Sequence, residues 1–83
     1  MPLKIFLFTQ SGCPACEMMK IFLEAREIVF EERVMNLDAS ARIELLETYH
    51  SHTAPTLVIL SASGAEVIEG FDPDHLDRVL SAS

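Results

Sequence analysis

The residues in this chain best equipped for chemistry are Cys13 and Cys16, its only two cysteines, with Pro14 and Ala15 between them. Thiolates are nucleophiles and metal ligands, and a close pair can cycle between dithiol and disulfide. An apolar stretch over residues 3–8 ends in the polar turn Thr9-Gln10-Ser11-Gly12, and Pro14 is the residue type favoured at the first position of a helix. A helix N-terminus presents unpaired N–H groups and the positive end of the dipole, so a thiolate at Cys13 is the anion it would stabilise. An ordinary thiol with a pKa near 8.5 is only about 3% ionised at pH 7, whereas one lowered to about 6 is roughly 90% ionised. Cys16, one turn later on the same face, is placed to attack a mixed disulfide formed at Cys13. Lys20 lies one further turn along, where it either adds positive charge near the pair or is a solvated surface lysine.

Three other uses of the pair compete. A structural staple closing a four-residue loop removes only roughly 2 kcal/mol of unfolded-chain entropy, and nothing calls for a staple at a strand-to-helix junction. Zinc needs four ligands, so the cysteines would have to recruit His50 and His52, whose His-x-His spacing is not a usual one. An inert buried pair conflicts with Pro14 and the polar turn.

The chain is 83 residues long and 49% apolar, enough for a compact core in one domain spanning residues 1–83. Its longest apolar runs, at 5–8 and 57–60, are far short of the ~18 residues that cross a bilayer. Six Lys/Arg against 13 Asp/Glu give a net charge of −7, which argues against nucleic acid and anionic membranes as partners. No basic-then-apolar leader opens the chain, and two cysteines are too few for a secreted disulfide scaffold, so a soluble, monomeric, cytoplasmic domain is expected.

The elements that must position the cysteines follow from periodicity. Residues 3–8 read as a central strand buried on both faces. A helix over about 13–27 would turn Met18, Met19, Phe22, Leu23 and Ile28 inward and Glu17, Lys20, Glu24 and Arg26 outward. Residues 29–34 lean towards β and are less apolar, as at an edge. Asn36-Leu37-Asp38 caps a second helix over 40–49 with Ile43, Leu46 and Tyr49 on one face. Residues 57–60 and 66–69 form a hairpin across Ser61-Ala62-Ser63-Gly64, Gly70-Phe71 breaks it, and Asp72-Pro73 opens a third helix with Leu76, Val79 and Leu80 inward. The order is β-α-β-α-β-β-α, an α/β fold with a mixed four-stranded sheet: a parallel pair from the opening unit and an antiparallel hairpin at the end.

The chain resembles the glutaredoxins of the thioredoxin superfamily, and among them the NrdH-redoxins, over essentially its whole length. The resemblance rests on Phe8-Thr9-x-x-x-Cys13-Pro14-x-Cys16 with Lys20, on Thr53-Ala54-Pro55 standing where the family has Thr-Val-Pro, and on Gly70-Phe71-Asp72-Pro73-Asp74, which looks like the Gly-Phe-x-Pro stretch of the NrdH branch. It implies a thioredoxin-like fold and thiol–disulfide exchange through a redox-active Cys13–Cys16 disulfide, with no bound cofactor or metal. It also implies a cis peptide before Pro55, facing the dithiol. The N–H and C=O of Ala54 would then pair with an extended substrate backbone, as an added strand. Pro14, Thr53, Ala54, Pro55, Gly70 and Phe71 are the implied substrate-binding residues.

Departures bear on the electron donor. Glutathione-using members carry a basic residue where Gln10 stands, often another where His52 stands, and a Gly-Gly-x-Asp-Asp-like turn where this chain has Glu69-Gly70-Phe71-Asp72-Pro73. Lys20 and His52 are the basic groups expected near the dithiol, and glutathione has two carboxylates to satisfy. The reading therefore favours thioredoxin reductase, an FAD and NADPH enzyme, over glutathione as donor, and ribonucleotide reductase among protein disulfides as acceptor. Thioredoxin itself is longer and has Trp where this chain has Gly12. An iron–sulfur cluster carrier using Cys13 and a non-catalytic binding module are the alternative functions.

Overall fold

A computed structural model describes residues 4–81. Leu3, expected at the start of the first strand, lies outside the described residues. The elements are β1 (Lys4–Thr9), α1 (Pro14–Ala25), β2 (Glu31–Val34), α2 (Ala39–Glu47), β3 (Thr56–Ser61), β4 (Gly64–Glu69) and α3 (Pro73–Ser81), in the order expected. The sheet runs β2-β1-β3-β4. β1 pairs parallel with β2 and antiparallel with β3, and β3 pairs antiparallel with β4.

Alternation along β1 divides the core. Ile5 and Leu7 join Met19, Leu23, Leu57, Ile59, Ile68 and Leu76 on the face covered by α1 and α3. Phe8 joins Met35, Ala41, Leu45 and Val58 on the face covered by α2, with Phe6 packed alongside. Successive strand residues point to opposite faces, so a strand covered on both sides must be apolar throughout. That is why residues 5–8 and 57–60 read as unbroken apolar runs.

Four expectations need correction. In α1 the inner face is Cys16, Met19 and Leu23, with Phe22 partly buried, whereas Met18 is 54% exposed. Met18 and Met19 are neighbours about 100° apart around the helix, and only one can lie on the stripe. The helix also stops at Ala25 and not near Glu27. Glu27 takes a left-handed φ of 57° and donates to Glu24 O, while Ile28 N–H reaches back to Leu23 O at 3.0 Å. These two bonds make a Schellman termination, whose usual glycine signal is missing because Glu27 fills the position. In α2 the inner stripe is Ala41, Leu45 and the half-buried Tyr49, spaced four apart, and Ile43 and Leu46 are 54% and 53% exposed. Small Ala41 carries little apolar weight in the sequence, so periodicity alone places the stripe one face round. Val29 is 89% exposed and precedes β2, whose pairing with β1 begins at Phe6↔Glu31.

The caps are as expected. Asp38 accepts from the Ser40 N–H at the start of α2, and Asp72 Oδ1 accepts from the His75 N–H at 3.2 Å at the start of α3. Leu76 is fully buried, with Val79 and Leu80 packed against the same core.

Candidate active site

Cys13 is the N-cap of α1. Its backbone is extended, and its Sγ accepts from the Cys16 N–H at 3.1 Å. Pro14 follows as the first helical residue and is exposed. Cys13 and Cys16 are disulfide-bonded, with Cα atoms 5.2 Å apart. The two sulfurs are unequal in access: Cys16 is 1% exposed and belongs to the inner face of α1, while Cys13 is half-buried. The turn carrying them is tied down on both sides. Thr9 O accepts from Met35 N–H at 2.9 Å, Ser11 N–H donates to Asn36 Oδ1 at 2.8 Å, and Gly12 takes a φ of 72° that favours glycine.

Beside this turn, the buried Thr9 hydroxyl donates to Glu32 Oε2 at 2.8 Å. Lys20 Nζ lies 3.0 Å from Glu17 Oε1 and 3.3 Å from Glu32 Oε2. Its hydrogen bond to Glu17 raises the Lys20 pKa above the usual lysine value, against the opposing effect of burial. Lys20 is thus a cation already shared between two carboxylates, a third role beside the two open to it in the sequence.

The Ala54–Pro55 peptide is cis, and Pro55 is fully buried. The register Phe8↔Thr56 and Thr56↔Glu69 sets the end of β1, the start of β3 and the end of β4 side by side. The Cys13 turn, Pro55 and Gly70 therefore emerge at one end of the sheet. Gly70, at φ 79°, donates its N–H to Pro55 O at 2.8 Å. Phe71 is half-buried, its ring edge-on to Phe22 at 5.8 Å, so much of it serves the core between α1 and α3. Thr53 is exposed and Ala54 half-buried, and among the described residues no hydrogen bond occupies the Ala54 N–H or C=O.

Several polar residues gathered around the proline loop carried no signal in the sequence. Ser51 (1% exposed) and Thr56 (0%) are buried hydroxyls behind the proline loop, 3.1 Å apart. Ser51 Oγ donates to Glu69 Oε2 at 2.7 Å and accepts from Thr53 N–H at 3.4 Å, while Thr56 Oγ1 donates to Thr53 O. Arg42 joins His52 as a basic group on this side of the molecule. It lines a cavity of about 260 Å³ with Gln10, Met35, Leu46, Ser51 and His52. Nothing in the sequence signals this, since Arg42 lies on α2 and His52 on the loop after it. His50 and His52 are exposed, and among the described residues no group of three or more His, Cys, Asp or Glu is gathered for a metal ion.

A dithiol capping a helix beside a cis-proline loop, on a four-stranded mixed sheet, defines the thioredoxin-like class of thiol–disulfide oxidoreductases. Solved structures agree. The thioredoxin-like protein BC3987 is 39% identical with a TM-score of 0.82, the match covering 92% of this chain and 99% of that one. A glutaredoxin from Archaeoglobus fulgidus (18% identity, TM-score 0.78, 96% and 87% covered) and the methanoredoxin of Methanosarcina acetivorans (22%, 0.78, 93% and 83%) share the fold. No curated protein sequence matches the chain. The glutaredoxin family profile matches residues 5–61, and the chain belongs to that family.

Proposed function

We infer that this protein, as one domain over residues 1–83, reduces protein disulfides in the cytoplasm as a monomeric electron carrier. The carrying observation is the unequal pair: Cys13 half-buried at the α1 N-terminus, its Sγ already accepting the Cys16 N–H, with Cys16 buried behind it. In the reduced protein the same N–H and the helix dipole favour negative charge on Cys13. The Cys13 thiolate attacks one sulfur of a substrate disulfide, a mixed disulfide forms, and the other substrate sulfur leaves as thiolate. The Cys16 thiolate then attacks Cys13 Sγ, releasing the second substrate thiolate and forming the Cys13–Cys16 disulfide. Two electrons pass to the substrate. An extended substrate segment pairs with the Ala54 N–H and C=O, flanked by Thr53, Pro55, Gly70, the exposed part of Phe71, and Pro14.

Thioredoxin reductase is the electron donor in this reading, with ribonucleotide reductase among the acceptors. The support is the Gly70-Phe71-Asp72-Pro73 turn and the acidic surface. Arg42 favours a second reading, in which the Gln10, Arg42 and His52 cavity holds a carboxylate of glutathione. Offering the oxidised protein NADPH with thioredoxin reductase, or glutathione with NADPH and glutathione reductase, decides between them. NADPH consumption in the first mixture alone supports the flavoprotein donor, and consumption in the second alone establishes glutathione.

A further inference from the structure

We propose that Ser51, oriented by Glu69, is a positioning residue that sets the direction of the Ala54 backbone groups towards a polypeptide substrate. Proton counting carries this. Ser51 has one hydroxyl proton, and it goes to the Glu69 carboxylate at 2.7 Å. Its oxygen is thereby left as an acceptor, and it takes the Thr53 N–H at 3.4 Å. Thr56 likewise has one hydroxyl proton, which goes to Thr53 O. Both backbone groups of Thr53 are thus held by buried hydroxyls, and the plane of the next peptide, which presents Ala54, is fixed with them. The arrangement is anchored at both ends: Ser51 N–H donates to Leu45 O at 3.0 Å at the end of α2, and Glu69 sits on β4 opposite Thr56. Without the carboxylate, the Ser51 proton is free to turn to Thr56 Oγ1, 3.1 Å away, and the acceptor that holds Thr53 N–H swings with it. The buried hydroxyls leave no unsatisfied polar atom among the described side chains, so the network has one low-energy arrangement only while Glu69 accepts.

This inference rests on the thiol–disulfide reading and on strand-like docking at Ala54. Its test compares two substrates of pre-reduced protein in single turnover: insulin, whose disulfides lie in polypeptide, and Ellman's reagent, a small aromatic disulfide with no backbone to pair. The ratio of second-order rate constants, insulin over Ellman's reagent, is expected to fall about fivefold in Ser51→Ala and by about threefold in Glu69→Ala, the scale of one lost hydrogen bond. Glu69→Gln, which keeps an acceptor oxygen for Ser51, should restore the wild-type ratio. Glu69 is exposed, so its variants keep the test open should Ser51→Ala fail to fold. An unchanged ratio in Glu69→Ala, or a ratio that Glu69→Gln fails to restore, overturns the positioning role and leaves the thiol–disulfide reading standing. Wild-type protein inert towards both substrates removes that reading and this inference with it.

Discussion

The two arms of the site are built in opposite ways. The dithiol arm is local: Cys13 caps the helix that contains Cys16, the bond from Cys16 N–H to Cys13 Sγ spans three residues, and Pro14 starts the helix between them. The proline arm is assembled. Its cis peptide is held from α2 through Leu45 O and Ser51, from β3 through Thr56, and from the end of β4 through Glu69 and Gly70. A redox centre can thus be specified by a short motif that sets sulfur access and charge at one helix end. The substrate-docking edge proposed here depends on contacts that come together only when the sheet and α2 are in place.

If the division is sound, substitutions in the local arm remove the chemistry, and those in the assembled arm weaken docking or the fold. Cys13→Ser should have no measurable disulfide reductase activity, because Cys16 is buried and has no access to substrate. Residual reduction of insulin by that variant would show that the arms share the chemistry. Leu45→Ala removes a fully buried side chain at the turn of α2 that supports Ser51, and is expected to cost about 2–5 kcal/mol in denaturant unfolding. Ile43→Ala, on the exposed face, should cost much less. Equal losses would mean that the α2 face is the one its sequence first suggests. Pro55→Ala should lower the rate with insulin by about tenfold more than its rate with Ellman's reagent, about the scale of one or two lost hydrogen bonds. The smallest effect belongs to a helix cap. Hydrogen bonding from Ser40 lowers the Asp38 carboxyl pKa below its usual value. A lowered folded-state pKa gives stability that is present above the unfolded value of about 4 and is lost as pH falls through the folded value. The melting temperature of the wild type should therefore fall more steeply below about pH 4 than that of Asp38→Asn, which keeps a capping oxygen without the titration.

The same division governs what could be read in advance. The order of elements was legible because β1 and β3 are covered on both faces and so are apolar through their centres, at residues 5–8 and 57–60, and because Asp38, Pro14 and Asp72-Pro73 mark helix starts with residues chosen for local physics. Cys13 and Cys16 were legible for the same local reason. The inner face of α2 was not, since its stripe begins at Ala41, a residue too small to register as core. The end of α1 was hidden by Glu27 in a conformation that glycine usually fills. Ser51, Thr56, Glu69 and Arg42 look like ordinary polar residues in the sequence, and only the register of β3 with β4 and the return of α2 give them a site.

The central claim, that Cys13 attacks substrate and Cys16 resolves the intermediate, is tested most directly by reacting pre-reduced Cys16→Ser with insulin and mapping the product by mass spectrometry without reductant. The account predicts a stable disulfide between Cys13 and an insulin cysteine, while reduced wild type treated in the same way ends as the Cys13–Cys16 disulfide without an adduct. An adduct found instead at Cys16 of the reciprocal Cys13→Ser variant, with none on Cys16→Ser, would contradict it.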